Sequence, residues 1–145
     1  MDKELIRVLC IFSATIGALI GLLPLFPFLT GLAFTLLMFF VAPIVLIYFS
    51  KLKLIKEFEV EKCLTVGAIS GAVSCLGFSI VYLPLALILQ LIFKIQSFIW
   101  IKVLFTNFGF FIPMIVLIAL VCALFNAFSA FLVAYFYSYF KQNKQ

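Results

Sequence analysis

Three uncharged runs dominate the chain: Val8 to Ser50 with 43 residues, Cys63 to Phe93 with 31, and Val103 to Phe140 with 38. None carries the polar stripe, recurring every three or four positions, of a helix packed on a water-soluble core. A helix needs about 20 apolar residues to cross the hydrocarbon of a bilayer, so the first run holds two spans. Its break is Leu23-Pro24-Leu25-Phe26-Pro27, where each proline removes a backbone donor and disfavours helix in the residue before it. The pattern predicts an all-α polytopic membrane protein, a four-helix transmembrane bundle forming a single domain over 1–145, with spans at about 5–23, 28–50, 63–93 and 110–140.

Further prolines modulate these spans. Pro43 lies inside the second and predicts a kink, tolerable in lipid only where a neighbouring group satisfies the freed carbonyl. Pro84 is the expected kink in the third, which is too long for one perpendicular crossing. Pro113 falls in the first turn of the fourth, where proline costs little. The first span is expected to be retained rather than cleaved, because acidic residues accompany Lys3 and Arg7 and no A-x-A-like site follows it.

Composition sharpens the picture. With 68% hydrophobic residues, 10% charged residues and a mean hydropathy of +1.39, the chain lies far from soluble domains, which average roughly 45 to 50% apolar. The charges occupy segment ends. Lys3, Arg7, Lys51, Lys53, Lys56, Lys62, Lys141 and Lys144 share one side of a four-span topology, with only Lys94 and Lys102 opposite. By the positive-inside rule this places both termini in the cytoplasm, and a bacterial inner membrane is the expected location. The net charge of +5 is spread over these ends and so suits orientation, not nucleic-acid binding. The run Lys51 to Lys62 is expected to be a solvated connection, and Lys94 to Lys102, with Trp100, an interfacial segment.

Two pairs of segments hint at internal duplication. Thr15 to Gly21 shares four of seven residues with Thr65 to Gly71, and Phe39 to Ile47 shares six of nine with Phe110 to Ile118, in the same order. A real duplication would make the bundle two parallel helical hairpin repeats.

Candidate contact faces follow from small residues. Gly17 and Gly21, and likewise Gly67 and Gly71, are four apart and let another backbone approach closely. This makes the first and third spans a candidate pair. A third stripe joins Ala119, Ala123, Ala127 and Ala130, continuing to Ala134. Among polar residues, Asn126 is the costliest to bury and needs a partner, with Ser129 one turn away. Asn126, Ser70, Ser74 and Ser129 are therefore the candidate polar site.

The chemistry at depth is sparse. There is no histidine, and apart from Arg7 no charged residue lies within the proposed spans, so proton-coupled, voltage-sensing and hydrolytic roles lack their usual groups. The cysteines Cys10, Cys63, Cys75 and Cys122 show no metal-site or disulfide spacing and read as apolar fillers. No catalytic residue, metal or cofactor is expected. The expected role is a non-enzymatic bundle in the lipid bilayer that acts by assembling through its glycine and alanine faces, with itself as a homo-oligomer or as a small subunit of a membrane complex. The alternative is a small transporter or channel for an uncharged or lipid-like substrate.

Overall fold

The computed structural model describes residues 3–52, 59–94, 103 and 106–142. The central part of the charged loop and the segment holding Trp100 and Lys102 lie outside them. The elements are α1 (Lys3–Ile20), α2 (Thr30–Thr35), α3 (Val41–Lys51), α4 (Val60–Phe93) and α5 (Phe108–Gln142), with no strand among the described residues. Four helical stretches are long and apolar enough to cross a membrane: Lys3–Leu25, Pro27–Lys51, Val60–Phe93 and Ile112–Tyr139. The chain is an integral membrane protein folded as an all-α bundle.

The prolines act in different ways; Pro113, expected in the first turn of the fourth span, is the sixth residue of α5 and lies inside it. Pro24 and Pro27 each open a 3-10 turn, Leu23–Leu25 and Pro27–Leu29, and Phe26 between them is extended. Each turn thus uses a proline where no donor is missed. In the second span the chain passes from α2 through a π-helical segment, Leu36–Phe40, into α3, with Pro43 in the first turn of α3. A widened turn replaces the simple kink expected at that proline. Helix α4 instead continues unbroken through Pro84 over 34 residues, or about 51 Å at ~1.5 Å per residue, against a hydrocarbon core of roughly 30 Å.

Helix α4 is the hub. Gly17 of α1 lies against the backbone of Ser74, and Gly21, one turn on, against that of Phe78, also one turn on; α1 and α4 therefore run parallel. On the other side Gly67 faces Asn126, Ala127 and Ala130, while Gly71 faces Cys122, Ala123 and Asn126, so α5 runs antiparallel to α4. Helix α3 closes the bundle, with Val41, Ala42, Val45, Leu46 and Phe49 all fully buried. Phe12 of α1 stacks on Tyr48 with ring centroids 4.5 Å apart.

The segments that suggest duplication do not pack alike. Gly17 meets α4, whereas its counterpart Gly67 meets α5. Phe39 to Ile47 spans the end of the π segment, whereas Phe110 to Ile118 is regular α-helix.

Candidate functional site

The small-residue faces are used inside one chain. A methyl group on Gly17 would overlap the carbonyl of Ser74, and one on Gly21 would come to 3.0 Å from the carbonyl oxygen of Phe78. At Gly67 it would stand 2.6 Å from the Ala130 side chain, and at Gly71 2.5 Å from the Cys122 carbonyl oxygen. Such approaches bring backbones together and gain dispersion contacts across the interface. The first and third spans do pack together, as expected, but not glycine face on glycine face. Gly17 does not meet Gly67 or Gly71; it meets the Ser74 turn, and Gly77 beyond it takes Ala14. Gly67 and Gly71 take the alanine stripe of α5 instead, where Ala119 and Ala130 are buried and Ala123 and Ala127 half-buried. Gly77 escaped the sequence reading because its spacing follows Ser70 and Ser74, a mixed stripe of small residues, and not a glycine repeat. Cys75 and Cys122 are both buried as free thiols.

Asn126 is fully buried, and its side chain reaches across to the second span. Its Oδ1 accepts a hydrogen bond from the Ala42 N–H at 2.9 Å. Its Nδ2 donates to the Leu37 carbonyl at 2.8 Å and to the Cys122 carbonyl, on its own helix, at 3.0 Å. Leu37 and Ala42 stand five residues apart, the spacing a π-helical bond would close. The amide is spliced into that gap, presenting an acceptor to the N–H and a donor to the carbonyl as a peptide group would. Asn126 thus finds its partners at the break in the second span just before Pro43, on groups other than the Phe39 carbonyl that the proline itself frees.

The serines take no part in it. Ser70 donates to the Gly67 carbonyl, Ser74 to that of Gly71 and Ser129 to that of Phe125, each at 3.0 Å and each on its own helix. The four candidate polar residues therefore do not form one hydrogen-bonded cluster. The reason is geometric: a helical Ser hydroxyl lies within reach of the carbonyl three or four residues back, whereas the longer Asn amide reaches beyond its helix. Leu37 and Ala42, its actual partners, contribute backbone atoms and leave no side-chain signal in the sequence. Pro43 was the indirect one.

Two buried side-chain atoms, Ser13 Oγ and Gln90 Oε1, have no hydrogen-bond partner among the described residues. No group of three metal-ligating side chains occurs among them either. At the membrane boundary, Glu59 and Lys62 form a 2.9 Å ion pair with both side chains at least half exposed, a geometry that contributes little to stability. Comparison with protein-family models, curated proteins and solved structures gives no match.

Proposed function

We propose that this protein is a non-enzymatic membrane bundle that acts by lateral association, with copies of itself or as a small subunit of a membrane complex. What supports this is where its surfaces are spent. The glycine and alanine faces are occupied within the chain, the buried Ser70, Ser74 and Ser129 bond to their own helices, and Asn126 is saturated. The interior is thereby committed to holding the bundle together. The outer face of α5 is one surface left to act: Val116, Leu117, Leu120, Leu124 and Phe128 are all exposed, and this span is the least buried of the four. Association is tested by single-molecule photobleaching of the labelled protein in bilayers of decreasing protein density. Dimers or larger species that persist on dilution are expected, or a stoichiometric partner after mild solubilisation. A monomer at every density with no partner would end this reading.

One observation favours a second reading, a small transporter or channel for an uncharged or lipid-like substrate. Discontinuous spans carry binding sites in several transporter folds, and here the discontinuity meets a buried amide. Under this reading Asn126→Leu changes the flux of an uncharged solute into proteoliposomes while particle mass stays constant. Identical flux in wild-type and protein-free vesicles removes it.

A further inference from the structure

The second span is held unevenly along its length. Between Pro27 and Leu36 only Ala33 is buried, whereas α3 buries Val41, Ala42, Val45, Leu46 and Phe49 completely. A methyl group added at Gly31 would meet nothing within 4 Å, so the Gly31 side of α2 stands clear of its neighbours. Its main aromatic contact is Phe34, itself 37% exposed, resting on Phe78 of α4 at 5.8 Å between ring centroids. Phe78 in turn touches Tyr82 at 5.2 Å, and both are buried.

This lightly held half lies between two articulations. On one side are the 3-10 turns at Pro24 and Pro27, with Phe26 extended between them at φ −97 and ψ 110. On the other is the π segment. In an α-ladder the Met38 carbonyl would take the Ala42 N–H, which is given to Asn126, and the Phe39 carbonyl would take the N–H that Pro43 lacks. The ladder is therefore interrupted at two successive carbonyls, which is where a helix bends most easily. Asn126 holds one group on each lip of the interruption, Leu37 before it and Ala42 after it. Side-chain hydrogen bonds of this kind tolerate a range of angles, so the amide keeps both lips satisfied without fixing the direction of the half-helix.

We propose that Pro27 to Leu36 is a lateral flap that pivots at the π segment, pinned by Asn126, and on swinging outward uncovers the Phe78–Tyr82 face of α4 to the acyl chains. Half-helices jointed at a few element-terminal residues are an established way for packed bundles to move, and π segments recur at such joints. Both states keep every polar group of Asn126 paired. What opening forfeits is the Phe34–Phe78 contact, the burial of Ala33 and part of the core packing of Leu36, a small set of apolar contacts that lipid partly replaces.

The test is a pair of spin-label distances in lipid nanodiscs. Labels at Leu32→Cys and Ile80→Cys, both exposed positions, report the flap against α4; labels at Ile47→Cys and Ile80→Cys report α3 against the same point. Cys10 is replaced by Ser, and the three buried cysteines are checked by mass for absence of label. The flap pair is expected to give two populations, or a distribution at least twice as wide as the α3 pair. Phe34→Ala is expected to raise the open population at least twofold, and Asn126→Leu to change it with the α3 distance unmoved. Equally narrow distributions for both pairs would overturn the proposal. So would a Phe34→Ala or Asn126→Leu change that appears equally in both, which would mark general loosening in place of a pivot.

Discussion

At the scale of single residues, the glycines separate into those that a neighbour's backbone has claimed and those that stand free. Gly17 has the Ser74 carbonyl where a methyl would go, and a main chain inside a packed helix pair cannot move aside as a side-chain tip can. Gly17→Ala should therefore destabilise the bundle by about 2 kcal/mol, in the range that overpacking a core costs. Gly31, with open space around it, should do the reverse: Ala there removes backbone entropy from the unfolded chain and should add about 0.5 kcal/mol. Reversible unfolding in mixed micelles would measure both, and equal effects would contradict the close α1–α4 approach. The four-residue glycine spacing in the sequence marked Gly17 as a contact residue but left its partner open. Spacing on one helix names a face; the register between two helices depends on how both faces interlock, and a chain this uniformly apolar carries no further mark of it.

At the scale of elements, the broken second span shows what sequence and structure each contribute. The two span-length stretches separated by Pro24 and Pro27 were legible because bilayer thickness and proline chemistry leave few choices. The demand for compensation at Pro43 was legible too, as was the demand for a partner at Asn126. That both meet at one break in the span was not, because the atoms Asn126 takes there are the Leu37 carbonyl and the Ala42 N–H, groups every residue possesses. This predicts a specific coupling. Asn126→Leu alone strands a donor and an acceptor at membrane depth and should cost about 2 kcal/mol or more. Pro43→Ala supplies an N–H at position 43 and lets the span relax towards a regular α-ladder, so in the Asn126→Leu background it should recover about 1 kcal/mol. A double-mutant cycle read by unfolding in micelles isolates that term, and strictly additive losses would mean that the amide and the proline act independently.

At the scale of the whole molecule, the helix directions turn a charge count into a vectorial statement. Because α1 and α4 run parallel, the start of α1 with Lys3 and Arg7 and the start of α4 with Lys62 lie at one end of the bundle, where α3 also finishes with Lys51. Lys94, capping α4 in a left-handed conformation at φ 50, lies at the other end. Anionic lipid on the cytoplasmic leaflet attracts each nearby Lys or Arg by about 1 kcal/mol, so the positive-inside expectation is that the end with four such residues faces the cytoplasm and the end with Lys94 the other side. A membrane-impermeant maleimide applied to intact cells should therefore modify Lys94→Cys directly and Lys51→Cys only after permeabilisation, in a Cys10→Ser background. The opposite pattern would show an inverted bundle. Equal access at both positions without permeabilisation would place the two ends on the same face, which antiparallel packing of α5 on α4 does not allow for helices that cross the bilayer, and would overturn the transmembrane arrangement itself.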